Sequence, residues 1–500
     1  MKKILFISTA IFCKTAFCQE ATIEIDSASK IIINKNIYGH FAEHLGRCIY
    51  DGFYRNGKIR MDIVEAMRKI HLPLLRWPGG CFADNYHWRD GVGPKAKRPG
   101  KVNIMWGMLP EDNSFGTTEF LELCSLIGCE PYMAGNVGTG SPEELESWEE
   151  YCNYSGESEL AALRKTNGHP EPYHVRYWGI GNESWGCGGR MTPETYAQKF
   201  KTFANYLKEY PGSPISRIAS GAENDDYNWT EYMMSHISPR WMQGIGVHYY
   251  TSIDDTRGPS AATDFGEKQY FNSLRNALII DEIVSKHSAI MDKYDPQKKI
   301  ALIVDEWGIV TSKEDAPDFF YQQNSLRDAL MAALTLNIFD NHCERVRMAN
   351  LAQTVNVLQS LVLTRGDSMV LTPTYYVFDL YKVHQNAKWI PIKVQSPNYD
   401  FNYQTIPAIN ASASIDSNGA MHISLVNLDL THEIPITIHL NEWIASKISG
   451  QILTSDKFND VNTFIEPYKV IIRSFSDFRK DGKILTVNMP SKSVVVLEIK

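Results

Sequence analysis

Between about residue 31 and residue 370, short apolar runs alternate with longer stretches whose apolar residues recur at threes and fours. The short runs, "NIYGHFAE", "LPLLRWPG", "EPYMAGNVG", "HVRYWGIGNE", "SRIASGAE", "GIGVHYY", "KIALIVDEWG" and "RVRMANLAQ", predict eight strands. Among the intervening stretches, "RMDIVEAMRKI", "TTEFLELCSLIG", "TPETYAQKFKTFANYLKEY" and "LRDALMAALTLNIFDNH" predict helices. The third has a readable start, with Thr192 as N-cap, Pro193 in the first helical position and Glu194 in the first turn. Repeated strand–helix alternation means βα units, which close into an eightfold barrel or open into a doubly wound sheet.

The polar positions choose between these. Glu43, Asn85, Asn136, Glu183, Glu223, His248, Glu306 and Gln353 each follow an apolar run at its carboxyl end. A closed barrel gathers all such ends at one mouth, whereas an open sheet uses mainly those at its switch point. The pattern therefore predicts a (β/α)8 TIM barrel. After about residue 370 it changes to short strands, among them "AMHISLVNLD", "IPITIHLN", "KILTVNMP" and "SVVVLEIK", which predict an all-β sandwich over residues 371–500. The early segment "ATIEIDSASKIIIN" is expected to join that sandwich at an edge, and residues 19–370 otherwise form the barrel.

The first eighteen residues open with two lysines at positions 2 and 3, followed by an apolar stretch from Ile4 to Cys13 and a cleavage-compatible end at Cys18, which predicts a signal peptide and a periplasmic or secreted product. Its removal takes away Lys2, Lys3, Lys14, Cys13 and Cys18, so the net charge moves from −8 to −11 and nine cysteines become seven. That acidity argues against nucleic acid as a partner. No later run is long and apolar enough for a transmembrane helix. Seven sparse cysteines leave room for one or two disulfides without a stapled core.

Glu183 and Glu306 fall at the ends of the fourth and seventh predicted strands, so a barrel makes them face one another across its mouth. Glycosidic hydrolysis needs such a pair: a carboxylic acid to protonate the departing oxygen and a carboxylate to attack the anomeric carbon. Glu183, among Trp178, Trp185 and glycines, is expected to be partly buried with a raised pKa, as suits the acid. Glu306, beside Asp305 and Trp307, is expected to be the nucleophile, held ionised by Tyr or Arg hydrogen bonds.

Other motifs are weaker. "HFAEH" at 40–44 matches a zinc-protease pattern in letters, but that pattern requires a helix, and Gly39 and Gly46 bracket a strand-like stretch here. "GTGS" at 138–141 lacks the lysine of a P-loop. Pro78-Gly79-Gly80 allows a sharp turn that brings backbone amides close to a ligand.

Together "GHFAEHLGRCIYDG", "RWPGGCFADNYHWRDGVGP", "NSFGTTEF", "WGIGNESWGCGG", "VHYY" and "VDEWG" resemble the α-L-arabinofuranosidases of glycoside hydrolase family 51, in family order over nearly all of the mature chain. The resemblance implies a retaining exo-enzyme with a barrel and a β-sandwich, acting on arabinose-containing polysaccharides and oligosaccharides without metal or organic cofactor. It also implies a homo-oligomer, often hexameric. It assigns Glu183 as acid/base and Glu306 as nucleophile, Glu43, Asn182 and Gln353 to hydroxyl binding in the furanose subsite, and Trp106 to its apolar wall. His248 falls in the same subsite, and Tyr250 resembles the tyrosine that orients the nucleophile, although Tyr249 stands beside it. Cys81 stands where some members carry Asn, and sulfur is a weaker hydrogen-bond partner than an amide. The rival readings are a retaining endo-glucanase or endo-xylanase on a related barrel, and a non-catalytic polysaccharide-binding protein.

Overall fold

The computed structural model describes residues 20–253, 261–311, 320–441, 443 and 446–500. The expected signal peptide lies outside the described residues.

Eight parallel strands close into a barrel: Gly39–Phe41, Leu74–Trp77, Glu130–Gly135, Tyr177–Ile180, Ser216–Glu223, Gly244–Thr251, Ala301–Ile309 and Val346–Ala352. The eighth closes on the first through Asn350↔Gly39 and Ala352↔Phe41. All eight coincide with the apolar runs of the sequence, the sixth and seventh extending one residue past them at Thr251 and Ile309. The inner face changes character along each strand. Leu74, Tyr132, Ile218, Ile303 and Met348 form an apolar cluster inside the barrel. Two residues onward, on the same face by the period of a strand, come Arg76, Ala134, Ser220, Asp305 and Asn350, all but Ala134 polar. The carboxyl end of the barrel is thus polar inside while its other end is an apolar plug.

The helices follow their sequence signals. Pro193–Tyr206 starts with Thr192 as N-cap, whose side chain accepts from Thr195 N, and with Pro193 in the first turn. Met61–Lys69 buries Ile63, Val64, Ala66 and Met67. Leu326–Asn341 is buried along nearly its whole circumference, because it lies between the barrel wall and the β-domain strands Ile409–Ile415 and Met421–Asn427. One helix departs from the reading of the sequence: Pro373–Tyr381 follows the eighth barrel strand and packs on Leu326–Asn341, so strand–helix alternation runs past residue 370. Its eight buried residues include Tyr375, Tyr376, Val377, Phe378 and Tyr381, a run too uniformly apolar to show helical periodicity, although Thr372-Pro373 marks its start.

The β-domain has two main sheets. One, of six strands, runs Lys388–Trp389, Ile409–Ile415, Met421–Asn427, Ser493–Ile499, Ile448–Leu453 and Arg473–Phe475. The other, of five, runs Ile392–Gln395, Ala21–Ile25, Ile434–His439, Ile484–Met489 and Phe478–Asp481. Ala21–Ile25 is therefore an interior strand of this sheet and not an edge, pairing antiparallel with Ile392–Gln395 and parallel with Ile434–His439. Its alternation buries Ala21, Ile23 and Ile25.

Candidate active site

The mouth of the barrel brings together side chains from most of its strand ends. Glu306 lies near the end of the seventh strand, next to Asp305, and both point into the barrel, where simple alternation would send one outward. The pairing register with the eighth strand shifts between Val304 and Trp307, which bracket these two residues. Such an irregularity re-aims a side chain next to an active site.

Glu306 is almost fully buried and surrounded by donors. Arg76 Nη1 donates to its Oε1 at 2.7 Å and Tyr250 Oη to its Oε2 at 2.7 Å. Burial alone would raise its pKa. The charges of His248 and Arg76, with the hydrogen bonds from Arg76 and Tyr250, outweigh burial and hold it below the ordinary value. This is the donor set, one Arg and one Tyr, expected to keep Glu306 ionised. The two adjacent tyrosines separate cleanly, since the Tyr249 hydroxyl instead donates to the backbone carbonyl of Asn276.

Glu183, just past the end of the fourth strand, has φ +38°, a left-handed conformation uncommon outside glycine, and follows Gly181 at φ +83°. The chain doubles back here and aims the carboxylate inward. His248 Nδ1 lies 3.0 Å from Glu183 Oε1 and 3.7 Å from Glu306 Oε2, so one imidazole spans both carboxylates. Burial lowers the His248 pKa, but the Glu306 charge and the Glu183 hydrogen bond and charge raise it above the ordinary value overall. Oxygens of Glu183 and Glu306 and a ring nitrogen of His248 all lie within 4.8 Å of one another.

Glu43, after the first strand, accepts from Gly80 N at 3.0 Å, Phe82 N at 3.1 Å, Trp106 Nε1 at 2.8 Å and Gln353 Nε2 at 3.1 Å. Burial and the Glu306 charge push its pKa up to about 7, against the pull of those donors and of Arg76. The Pro-Gly-Gly turn is explained by close approach. A Cβ on Gly79 would meet Glu43 Cγ at 2.7 Å, and one on Gly80 would meet Glu306 Oε1 at 2.8 Å. Asn182 Oδ1 accepts from Arg76 Nη2 at 2.6 Å, which ties its amide to the guanidinium that holds the nucleophile. Cys81 and Cys187 form a disulfide against Glu183, with their sulfurs 3.9 and 3.4 Å from its Oε2.

All nine residues singled out for the site thus converge on one mouth. Other strand-end residues do not. Asn136 accepts from Thr139 N and Gly140 N and shapes its own loop, and Glu223 is exposed. The histidines of "HFAEH" part company: His40 is buried with its ring 4.5 Å from Phe378, whereas His44 bonds Glu111 through Nδ1 and accepts from Trp77 Nε1. The stretch is a strand and a turn, without the helix a zinc motif requires.

Three contributors carry no role in the reading of the sequence. Arg76 is a cation within an apolar run, and that placement, on the inner face near a strand end, is its only signal. Asp84 is buried and accepts from Val137 N, Gly138 N and Asn182 N at 2.8 to 2.9 Å, which binds the loops after strands two, three and four together. Asp305 accepts from Tyr132 Oη and Asn350 Nδ2, each at 2.9 Å, and lies 3.5 Å from Arg76 Nε.

Comparison with known proteins agrees with this geometry. The α-L-arabinofuranosidase 1 domain matches residues 66–265 and the α-L-arabinofuranosidase C-terminal domain matches residues 305–493. An intracellular exo-α-L-arabinofuranosidase of Bacteroides ovatus is 45% identical over the full length of both chains. The chain belongs to the family 51 α-L-arabinofuranosidases. The family 51 arabinofuranosidase of Xanthomonas axonopodis pv. citri superposes with a TM-score of 0.94 at 43% identity, covering 96% of this chain and 100% of that one. An α-L-arabinofuranosidase from Thermotoga maritima, solved as an arabinose complex, superposes at 0.84 with 32% identity, covering 96% and 99%.

Proposed function

We propose that this family member is a retaining, exo-acting α-L-arabinofuranosidase that removes terminal non-reducing α-L-arabinofuranosyl groups from arabinan, arabinoxylan and arabino-oligosaccharides. The observation that carries the reading is the approach of the Glu183 and Glu306 carboxylate oxygens to within 4.8 Å. Retaining enzymes place their carboxyl groups about 5 to 5.5 Å apart, whereas inverting enzymes leave about 6.5 to 9.5 Å for an intervening water.

Glu306 attacks the anomeric carbon while protonated Glu183 donates to the departing oxygen, and the sugar becomes an ester on Glu306. Glu183 then takes a proton from water, which displaces Glu306, so two inversions retain configuration. Tyr250 and Arg76 fix Glu306 in its ionised form. His248, bonded to Glu183 and close to Glu306, answers the charge that passes between them. Glu43, Asn182 and Gln353 are the polar groups that meet furanose hydroxyls, with Trp106 and the Cys81 side chain as walls. The same reading includes a homo-oligomer and, from residues 1–18, export to the periplasm or beyond; the B. ovatus relative bears the description intracellular.

The test is arabinose release from linear arabino-oligosaccharides, branched arabinan and arabinoxylan, assayed side by side. Wild type releases arabinose, and Glu183→Ala and Glu306→Ala each reduce release by several orders of magnitude. Undiminished release by both variants, or oligomeric products from internal cleavage, would remove the assignment.

A further inference from the structure

Among the described residues, Cys48, Cys124, Cys129, Cys152 and Cys343 are free and buried. Cys81 and Cys187 differ on both counts: they are bonded to one another and only half-buried, at the mouth where substrate enters. Both sulfurs face the same carboxylate oxygen of Glu183. A disulfide has no proton to donate, so this oxygen gains no hydrogen bond from either. As a ligand set, however, the arrangement offers three donors, with His248 on the far oxygen of Glu183. Two sulfurs and a carboxylate oxygen lie within 4.8 Å of one another, and the His248 ring nitrogen is 3.0 Å from the other oxygen of Glu183. Sulfur, carboxylate and imidazole are the ligands of zinc and its softer congener cadmium.

We infer that the Cys81–Cys187 disulfide covers a latent soft-metal site, and that in the reduced enzyme Cys81, Cys187 and Glu183 bind a zinc-class divalent cation that shuts off hydrolysis. The chemistry balances with a dithiol as reductant. The dithiol gives up two electrons and closes to its own disulfide, and the protein S–S bond becomes two thiols. The incoming cation then displaces two thiol protons to solvent and takes both thiolates and the Glu183 carboxylate as ligands. The Cα atoms of the two cysteines are 5.6 Å apart, so rotation of the side chains lets the sulfurs separate around an ion without moving the strands beneath them. A metal-bound Glu183 can neither hold nor deliver the proton that the departing oxygen needs. In the oxidised enzyme the sulfurs bond each other and offer no thiolate to a metal, whereas the reduced enzyme is silenced by the ion they bind. Activity is thereby tied to an oxidising compartment wherever zinc is present.

The experiment uses the full mature chain, reduced with a water-soluble phosphine, freed of it without air, and titrated with cadmium. Thiolate-to-cadmium charge-transfer absorbance and hydrolysis of an aryl α-L-arabinofuranoside are read on the same sample. The reduced chain should bind a single cadmium through its thiolates, lose activity in step with the absorbance, and recover with a chelator, while the unreduced chain shows no charge-transfer band and needs far more cadmium to lose activity. Glu183→Gln should keep the absorbance but bind roughly tenfold more weakly or worse. Cys81→Ser and Cys187→Ser, each measured separately, should each lose most of it. The inference is overturned if charge transfer saturates while activity persists, or if both serine variants keep the full band, which would place the metal on the buried cysteines instead.

Discussion

The Tyr250 hydroxyl and the Arg76 guanidinium grip opposite oxygens of Glu306, and the consequence is a nucleophile that stays ionised in acid. The acid limb of kcat/KM, where Glu306 gains its proton, should lie below the ordinary glutamate value of about 4.3. Tyr250→Phe removes a charge-assisted hydrogen bond worth about 1.5 to 3 kcal/mol, so it raises the Glu306 pKa and moves that limb upward by about one to two pH units. A pH profile of the variant with an unmoved acid limb would take Tyr250 out of this role. Gly80 acts by having no side chain, because its Cα lies against Glu306. Gly80→Ala should leave the circular dichroism spectrum and melting temperature close to wild type and lower kcat by about 100-fold, the scale of a misplaced reacting group. Much of this residue-level detail was legible: the two glutamates announced themselves by position at strand ends. Arg76 did not, because a cation inside an apolar run has no meaning until the barrel shows which side of the strand faces inward. The Cys81–Cys187 bond was equally hidden, since seven cysteines allow many pairings and only the folded loops bring these two together.

The strands deliver the side chains, but the turns after them set the final aim. Asp84 is the clearest case, since its carboxylate collects three backbone amides from two neighbouring loops, including that of Asn182. Burial pushes its pKa up to about 7, and the accepted hydrogen bonds work against that rise. Asp84→Asn must turn one of its own N–H groups toward a backbone N–H. The expected cost is about 1 to 3 kcal/mol of stability from the unmet donors. The accompanying fall in kcat should exceed any change in KM, because the loop that aims Glu183 is the one released. A variant with lowered melting temperature and unchanged kcat would confine Asp84 to a structural role. At this scale the alternation of apolar runs and helical repeats located all eight barrel strands. It failed at Pro373–Tyr381, where burial on nearly every side erased the periodicity, and at Ala21–Ile25, where a short amphipathic strand carries no mark of its position within a sheet.

Across the described residues, the first strand lies in the β-domain, the barrel follows, and the later strands return to the β-domain. The strand Ala21–Ile25 lies between partners about 370 and more than 400 residues away in sequence, so it folds as one unit with the late β-domain strands. Ile23 is fully buried in it. Ile23→Ala should cost about 2 to 5 kcal/mol, visible as a lower denaturant midpoint, while kcat of the folded fraction is unchanged because the site is built by the barrel. A large loss of kcat at full folding would mean that the β-domain reaches the active site after all.

The central claim is that Glu306 bonds covalently to the sugar while Glu183 serves the proton. Mass-spectrometric mapping of Glu183→Ala after brief reaction with an arabinofuranoside bearing a good leaving group tests it most directly. An arabinosyl adduct should accumulate on the peptide that contains Glu306, because formation of the ester no longer needs the acid and its hydrolysis still needs the base. An adduct on a different carboxylate, or turnover with inverted configuration and no adduct at all, would contradict the account.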